Sequence, residues 1–532
     1  MTELQQSERD VRIGKVAKMK AMGIIPYAQS FDKKQMIGDI TKTYESQELR
    51  DINDIIINPV AQVKTAGRVM LYRGHGKLAF AKLLDSTEQI QLMFHRENCS
   101  FVKGGEKVQL LQDGSEEGMS AYKFMEKMVD VGDFIGIEGE VFKTHKGELT
   151  IFVSTFTFLA KAVRPLPEKF HGLQDQEDIY RKRYLDMTMN PESYQRFLFK
   201  SKFYKILRDF YHQEGFVEIQ TPILGNAASG AAAKPFITHH NDYDTDVYLR
   251  IAFETSLKKS TVGRFEKVFE IGQDFRNEGS DPSHLQEFTQ VEHYAVYWNY
   301  EDNMKFTEKM FDYFFEKLGL SKILKVKDKE GEIRDIDFTT PWERIDYTKG
   351  ILDASGIDIT QYGVDDADKL RVDIKAKGIE FERMHVMGTT TLIDYLYKKV
   401  LRPKIIGPAF IYNYPVIMQP LARISDKDSG IVEQFQLLVN GWEMCKAYSE
   451  LVDPILQQEN FDKQGEAAAK GDEEATAGDD DFVTAMEYGM PPQSGFGMGL
   501  ERILTILTQQ DNLRDVVMFP LMKPEINENI SE

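Results

Sequence analysis

A predicted hairpin constrains the fold of this chain more than any other feature: two alternating segments flank a polar loop in 269-FEIGQDFRNEGSDPSHLQEFTQVEHY-294. Side chains alternate between the two faces of a strand, so the first segment places Asp274, Arg276 and Glu278 on one face. The second segment places four side chains on one face: Phe288, Gln290, Glu292 and Tyr294. Charged groups on a strand within an apolar sequence indicate either a face open to water or a charged ligand.

A glycine pattern near the C-terminus favours the ligand. In 495-GFGMGLERILTIL-507, glycine occupies every other position before a helix that opens with Glu501 and Arg502. Glycine at alternate strand positions marks close approach by a ligand or another backbone. Arg502, at the start of the helix, can reach a phosphate beside the helix dipole. The sequence has no GxxxxGK[ST] pattern, which excludes a P-loop.

The amino-acid composition indicates in which cellular compartment the protein works and which kinds of partner it can bind. The 532 residues include two cysteines, Cys99 and Cys445, and no apolar run of about 18 residues. We therefore expect a cytoplasmic protein without a disulfide framework or a membrane span. A net charge of −19 argues against general binding to polyanions. Residues 64–96 nevertheless carry six Lys or Arg against two carboxylates, which leaves room for a local nucleic-acid surface.

Changes of pattern divide the chain into four predicted segments: a helical extension at 1–60, a barrel of about five short strands at 61–165, a linker at 166–185 and a large domain at 186–532. Within the large domain, residues 340–405 mix helices with Gly/Asp turns and resemble an insertion. The Ala- and acid-rich stretch 463–481 is interpreted as a solvated helix or loop without chemistry.

Three segments resemble, in order and spacing, the signature motifs of class II aminoacyl-tRNA synthetases: 215-GFVEIQTP-222, the FRNE…EF hairpin and 495-GFGMGLER-502. Three more look like the lysyl-tRNA synthetases of that class: 171-HGLQDQEDIYRKRYLD-186, 228-ASGAAAKPFITHHNDYDTDVYLRIAFE-254 and 447-AYSELVDP-454. The resemblance implies an α+β fold: an antiparallel six-stranded catalytic sheet flanked by helices, plus an N-terminal five-stranded OB-fold barrel. It also implies a homodimer, whose interface is formed by the first motif.

The activity that the resemblance implies is that of a lysine–tRNA ligase. Such an enzyme activates L-lysine with ATP and Mg²⁺, through attack of the lysine carboxylate on the α-phosphate. It then transfers lysine to the 3′ end of tRNA(Lys). No covalent enzyme intermediate is needed, so the protein contributes positioning and charge neutralisation.

By the same resemblance, ATP is bound by Arg276, Glu278, His284, Phe288, Glu443 and Arg502. Arg276 and Arg502 are the catalytic residues. Arg276 bridges the α-phosphate and the lysine carboxylate, and Glu278 holds the adenine amino group. Phe288 and Arg502 stack on opposite sides of adenine. For His284, a plain solvated loop histidine is the alternative.

The implied lysine site consists of Gly230, Glu254, Arg276, Glu292, Tyr294, Glu450 and Gly495. Glu254 takes the α-amino group, while Glu292, Tyr294 and Glu450 surround the ε-ammonium. Two carboxylates around one ammonium give specificity, because a neutral side chain would leave them buried and unpaired. The alternative for Glu292 and Glu450 is a structural ion pair with a nearby Lys or Arg.

The implied metal site departs from the family pattern of two acidic residues seven apart. Those positions hold Gln436 and Glu443 here, and glutamine brings no charge to Mg²⁺. Lys446 stands where an asparagine is usual, and Leu285 replaces an asparagine beside His284. The added cation at 446 either lowers affinity for lysine or contacts phosphate.

In the barrel, Arg73, Phe80 and Gln91 match the positions with which this family grips the central anticodon base. An aromatic platform and a cation suit single-stranded RNA. The alternative for Phe80 is a side chain of the barrel core.

Three rival functions remain open at this point. Aspartyl- or asparaginyl-tRNA synthetases share the barrel and the 284-HLQEFTQ-290 form but need a cation in the amino-acid pocket. Enzymes that lysylate a protein look shorter and lack the barrel. A non-catalytic RNA-binding paralogue is favoured by Gln436 and Lys446 and opposed by Arg276, Glu443 and Arg502.

Overall fold

The computed structural model describes residues 3–111, 118–167, 173, 175–231, 233–279, 281–327, 331–419, 422–469 and 478–525. The chain forms two compact units, Met1–Leu173 and Gln174–Glu532. Residues 470–477 of the acidic stretch, and residues 168–172 and 174 of the predicted linker, lie outside the described residues. No described helix combines the length and the apolar character needed to span a bilayer.

The first unit is built mainly from strands. Its strands are β1 (Val63–His75), β2 (Leu78–Leu84), β3 (Gln89–His95), β4 (Ser100–Lys103), β5 (Glu106–Val108), β6 (Leu110–Leu111), β7 (Met119–Ser120), β8 (Phe134–Lys143) and β9 (Leu149–Ala160). Its helices are α1 (Glu3–Ala21), α2 (Ile37–Tyr44), α3 (Ile52–Ile57) and α4 (Ala121–Met128).

Five strands close into a barrel because β3 pairs with β9 in parallel, which completes the antiparallel order β3-β2-β1-β8-β9. Two short strands, β4 and β5, extend the sheet beyond β9. Alternation decides which side chains fill the interior. In β2, Ala79, Ala81 and Leu83 are buried, while Phe80 and Lys82 between them are only half-buried.

The second unit combines helices with one large sheet. Its helices are α5 (Gln176–Arg181), α6 (Arg183–Met189), α7 (Pro191–Gln213), α8 (Glu254–Val262), α9 (Tyr300–Leu318), α10 (Tyr347–Ser355), α11 (Ala367–Ala376), α12 (Thr389–Val400), α13 (Pro454–Ala469), α14 (Asp480–Glu487) and α15 (Leu500–Leu507). Short 3₁₀ helices occupy Ile359–Gln361, Met384–Val386, Arg402–Lys404, Val416–Met418 and Leu513–Val516.

The strands of this unit are β10 (Val217–Glu218), β11 (Leu224–Gly225), β12 (Ile237–His240), β13 (Thr245–Leu249), β14 (Lys267–Phe275), β15 (Glu287–Val296), β16 (Ile323–Lys327), β17 (Ile333–Asp337), β18 (Glu343–Asp346), β19 (Ala409–Pro415), β20 (Ile431–Val439), β21 (Trp442–Ser449) and β22 (Gln493–Gly499). The large sheet has eight strands in the order β10-β14-β15-β22-β21-β20-β19-β18. Its six central strands are antiparallel, as expected from the sequence, and a parallel strand is added at each edge.

The large sheet has one apolar and one polar face. Helices α7, α9 and α15 cover the apolar face, where Phe269, Val291 and Phe496 belong to the main core. The cross-strand register places Glu292, Gly497, Lys446 and Gln436 in one row on the opposite face. The period of two in each strand produces this separation.

Two sequence-predicted boundaries shift in the structure. The second half of the predicted linker at 166–185 is helical, because the Asp175 carboxylate caps α5 by accepting a 3.0 Å hydrogen bond from Asp178 N–H. The predicted insertion at 340–405 does contain α10, α11 and α12 around a core of their own. Its first part, β18, belongs instead to the large sheet, where it pairs with β19.

Candidate active site

A cavity of about 640 Å³ lies over the polar face of the large sheet. The central strands supply its floor through Gln290, Glu292, Tyr294, Gly495, Gly497, Gly499, Lys446 and Tyr448. Helix α8 contributes Glu254 and Lys258, while Phe461 of α13 and Phe482 of α14 add apolar walls. The cavity therefore has a polar floor and a partly apolar lining, as many small-molecule sites have.

Three carboxylates of the cavity, those of Glu254, Glu292 and Glu450, lie together at one end. Glu292 is buried and accepts two hydrogen bonds of 2.7 Å, from Tyr294 Oη–H to Oε1 and from the Gln290 amide to Oε2. Lys258 Nζ lies 2.6 Å from Glu254 Oε1 and 2.5 Å from Glu450 Oε2. Glu450 thus forms an ion pair with a nearby lysine, which was the alternative to a lysine-binding role. Among the described residues, no Lys, Arg or His forms a salt bridge with Glu292.

The protonation equilibria reflect this arrangement. Burial, strengthened by the charges of Glu254 and Asp274, raises the pKa of Glu292 to about 8. Burial also raises the pKa of Glu450, although Lys258 works against it. For Lys258 burial acts in the opposite direction, but Glu254 and Glu450 outweigh it and raise its pKa. This end of the cavity therefore holds three carboxylates against one ammonium and can accept another cation.

Glycine is required where the floor passes these carboxylates. A Cβ at Gly495 would overlap Glu450 Oε1 and the ring of Tyr294. Gly230 has a φ of +87°, and a Cβ there would lie 2.8 Å from the Cβ of Glu254. Both glycines thus leave room beside carboxylates that a larger residue would displace.

A hydrogen-bonded chain lies on the other side of β15, behind Glu292. His293 is fully buried, with Nδ1 2.8 Å from Tyr211 Oη and Nε2 2.8 Å from Asn303 Oδ1. The Asn303 amide donates to Ser494 Oγ, so Asn303 Oδ1 must accept from His293 Nε2–H. Burial lowers the pKa of His293 to about 3, which keeps the ring neutral and this tautomer fixed.

The opposite end of the cavity is cationic. The Arg276 guanidinium lies 5.1 Å from the centre of the Phe288 ring, and its Nε and Nη2 each donate at 3.3 Å to Ile251 O. Arg502, at the start of α15, donates from Nη1 to Glu443 O at 3.0 Å. Burial, together with the nearby Arg276 charge, lowers the pKa of Arg502. Guanidinium groups in such a site suit phosphate or carboxylate ligands.

Two further sequence-predicted residues line this end from the loop after β14. The predicted strand ends earlier than expected, at Phe275, so Arg276 and Glu278 lie beyond it. Glu278 is exposed and borders the cavity. His284 also borders it, with its side chain 54% exposed and Nδ1 2.8 Å from Asp281 Oδ2. Asp274 lies on the same face as Phe288, as expected, but it is fully buried, 3.6 Å from Arg250 Nε, and does not line the cavity.

The predicted anticodon residues lie on neighbouring strands of the barrel. Arg73 of β1 is exposed and stands directly opposite Phe80 of β2. Phe80 is not in the barrel interior but half-buried on the outer face, against a small cluster that contains Met93 and Phe152. Gln91 of β3 donates from its amide to Thr150 Oγ1 at 3.0 Å. One cation and one aromatic ring are thus paired on an accessible face.

Comparison with known proteins places this geometry in a family. Residues 175–523 match the family described as tRNA synthetases class II (D, K and N), and residues 63–159 match the OB-fold nucleic acid binding domain. The lysine–tRNA ligase of Carboxydothermus hydrogenoformans is 42% identical over 514 residues, 97% of each chain. This chain belongs to the lysine–tRNA ligase family.

Two other relatives support this assignment. The lysine–tRNA ligase of Thermosipho africanus is 39% identical over 516 residues, which is 97% of this chain and 96% of the relative. That of Aquifex aeolicus is 42% identical over 464 residues, 87% of this chain and 73% of the relative. The α+β class II fold with an N-terminal OB-fold barrel is therefore confirmed.

The acidic pair that holds metal in the family pattern is not brought together. Glu443 borders the cavity, but Gln436 does not. Gln436 Oε1 accepts a 2.6 Å hydrogen bond from Tyr414 Oη–H, which engages one of the two lone pairs of that oxygen. Within the described residues, no group of three or more His, Cys, Asp or Glu side chains could hold a metal ion. The donor set thus fits a two-carboxylate metal site poorly.

Sequence reasoning missed three residues of the site. Lys258 neutralises two carboxylates, Gln290 holds Glu292, and Tyr448 lines the floor beside Gly495. A signal existed for Lys258, which follows Glu254 by one helical turn. It also existed for Gln290, which shares the strand face of Glu292. The contact between Lys258 and Glu450 has no signal in the sequence, since 192 residues separate them.

Proposed function

We propose that this chain is a lysine–tRNA ligase that activates L-lysine with ATP and transfers it to the 3′ end of tRNA(Lys). The observation that carries the proposal is Glu292, a buried carboxylate that borders the cavity without a cationic partner among the described residues. An isolated buried carboxylate is costly, and a substrate ammonium removes that cost. A substrate with an anionic side chain would add repulsion instead.

In this proposal, the ε-ammonium of lysine lies between Glu292 and Glu450, beside the hydroxyl of Tyr294. The α-amino group binds Glu254, and Gly230 and Gly495 give the substrate room. Lys258 does not compete for this place, because it already bridges Glu254 and Glu450 and fixes their orientation. Specificity follows because a side chain without a cation would leave Glu292 buried and uncompensated.

The reaction itself needs a carboxylate and an α-phosphate held together. Arg276 binds both, since its guanidinium can donate to two anions at once. Phe288 and Arg502 stack on adenine, Glu278 accepts from the adenine amino group, and His284 contacts phosphate. With the reactants aligned, the lysine carboxylate attacks phosphorus and pyrophosphate leaves.

Glu443 is the carboxylate that would hold a Mg²⁺ bound with ATP, and such an ion would supply positive charge to the phosphates. Magnesium usually binds through one or two carboxylates together with substrate phosphates. The sequence predicted that Gln436 would share this role, but its side-chain oxygen accepts a hydrogen bond from Tyr414. We therefore assign no step to a second protein ligand.

The tRNA anticodon binds the barrel in this proposal. Phe80 offers its half-buried ring for base stacking, and Arg73 adds a cation directly opposite on β1. Gln91 supplies an amide close to the same face.

We also propose a cytoplasmic homodimer. Four large apolar side chains in and near β10, β11 and β12 are exposed: Val217, Ile223, Leu224 and Ile237. Exposed apolar groups that cluster along the chain are typical of an interface. Buried free thiols at Cys99 and Cys445 fit a reducing compartment. Light scattering on the purified protein should give twice the monomer mass, and a monomer would contradict the dimer.

The direct test is amino-acid-dependent exchange between ATP and pyrophosphate, with lysine, aspartate and asparagine assayed separately. We expect exchange with lysine alone, followed by charging of tRNA(Lys). Exchange with aspartate or asparagine would support the sister enzymes. No exchange by folded protein would support a paralogue that binds RNA without charging it.

A further inference from the structure

Lys446 lines the cavity, and the proposed function assigns it no role. It lies in β21, in a cross-strand row with Gln436 on one side and Gly497 and then Glu292 on the other. Gly497 has no side chain, so nothing on β22 shields Lys446 from the cavity. Its side chain is 40% exposed and borders the cavity.

The surroundings of Lys446 point to an anionic ligand. Its Nζ forms a salt bridge with Glu443 Oε1 at 3.7 Å, a distance too long for a hydrogen bond. Arg276 and Arg502 line the same cavity as Lys446. The side-chain cations of these three residues thus face one space, together with the Glu443 carboxylate. A polyanion would relieve their mutual repulsion.

Compared with the family pattern, two residues of this region change the local charge by as much as one bound Mg²⁺ would. Relative to the family pattern, Gln436 replaces a carboxylate and Lys446 replaces a neutral asparagine. Each replacement adds one positive charge, so together they add the two charges of one Mg²⁺. The Gln436 side chain is hydrogen-bonded to Tyr414, and Lys446 of β21 is the cross-strand partner of Gln436. Lys446 thus brings an ammonium to the strand position directly beside Gln436.

We propose that Lys446 binds the triphosphate of ATP in place of one of the magnesium ions, so that this chain works with fewer metal ions than a two-carboxylate site. This inference rests on the proposed function, because it requires ATP in the cavity. The ammonium neutralises phosphate oxygens directly, as a point charge with three N–H donors. Glu443 remains as ligand for the metal that enters with ATP.

The test counts metal ions and measures affinity without turnover. Mn²⁺ bound per cavity is measured by equilibrium dialysis with saturating lysine and a non-hydrolysable α,β-methylene analogue of ATP. The double variant Gln436→Glu/Lys446→Asn restores the family pattern and should bind one more Mn²⁺ than the natural protein. Equal counts in the two proteins would overturn the proposal.

Single variants separate charge from folding. Lys446→Met should weaken binding of the analogue about tenfold at low Mg²⁺, the loss expected for one partly screened charge. High Mg²⁺ should reduce that loss, and Lys446→Arg should bind nearly as the natural protein does. Unchanged affinity in Lys446→Met would overturn the proposal. Circular dichroism on each variant confirms that it is folded.

Failure of this inference can be told from failure of the proposed function. Lysine-dependent exchange by the natural protein together with equal Mn²⁺ counts would remove only the role of Lys446. Absence of exchange with any amino acid, in protein that still binds the analogue, would remove the proposed function on which that role rests.

Discussion

The catalytic cavity and the outer face of the barrel use the same kinds of side chain under opposite conditions. In the cavity, Glu292 is 5% exposed and lies among other buried carboxylates. On the barrel, Arg73 is exposed and Phe80 half-buried. Water screens charges on the barrel but not in the cavity. We therefore expect single substitutions in the cavity to have large, specific effects and those on the barrel to have small ones.

The largest effect should come from Glu292→Gln. The amide cannot neutralise the lysine ammonium, and breaking a buried charge pair costs about 3–5 kcal/mol, or roughly 10²- to 5 × 10³-fold in exchange activity. The fold should survive, since burial already favours the neutral form of Glu292. Lysine-dependent pyrophosphate exchange and thermal melting measure the two effects. Glu287→Gln, at an exposed position on the same strand, is the control; equal losses in both variants would contradict the comparison.

Gly495→Ala should have the next largest effect. The new methyl group would overlap Glu450 and Tyr294, and overpacking costs about 1–3 kcal/mol, or roughly 5- to 160-fold in affinity for lysine. Gly499→Ala is the matched control, because nothing lies within 4 Å of its Cβ position. The Michaelis constant for lysine should rise in the first variant and change little in the second. A similar rise in both would mean that the floor is merely sensitive to glycine loss.

Lysine binding should depend on pH through Glu292. Its pKa of about 8 lies above the ordinary 4.5, so at pH 7 the empty site holds a proton that the substrate ammonium must displace. Affinity for lysine should therefore rise about tenfold per pH unit up to about 8. Calorimetry in buffers of different ionisation enthalpy should detect the released proton. If Glu292 were already paired with a cation, the affinity for lysine would not rise with pH in this range.

The same shift has a consequence for the empty protein. The folded state binds this proton more tightly than the unfolded chain does. The stability that Glu292 contributes is therefore present below about pH 4.5 and is lost as pH rises through about 8. Added lysine should offset the loss in thermal melting, and Glu292→Gln should lack this contribution.

The smallest effect should come from the barrel. Phe80→Leu keeps an apolar side chain for the outer cluster but removes the ring, and stacking of one base contributes about 1–3 kcal/mol. We expect tRNA charging to weaken by roughly tenfold while pyrophosphate exchange is unchanged. Comparison with Phe80→Ala separates stacking from packing. Loss of exchange in Phe80→Leu would show that Phe80 supports the fold instead.

Much of the site could be predicted from the sequence. Alternation in β15 and β22 put Glu292, Tyr294 and the glycines on one face, and the structure lines one cavity with them. The order of the motifs indicated the family, which the comparisons then confirmed. Prediction failed where a strand ended, at Phe275, because hydrogen bonding to the neighbouring strand sets that limit. Asp274 does lie on the predicted face, opposite Phe288, but it is buried beside Arg250 and does not line the cavity, which a strand pattern alone cannot show.

The sequence by itself determined the two faces of each strand, the family and the residue types at the site. It did so because strand periodicity and motif spacing are local properties of the chain. Only the tertiary structure decided which polar side chains are partners. Lys258 of α8 forms an ion pair with Glu450, and Tyr414 donates a hydrogen bond to Gln436. Glu292 has no cationic partner among the described residues. These contacts join segments far apart in the chain, and burial between them sets the pKa values from which the chemistry follows.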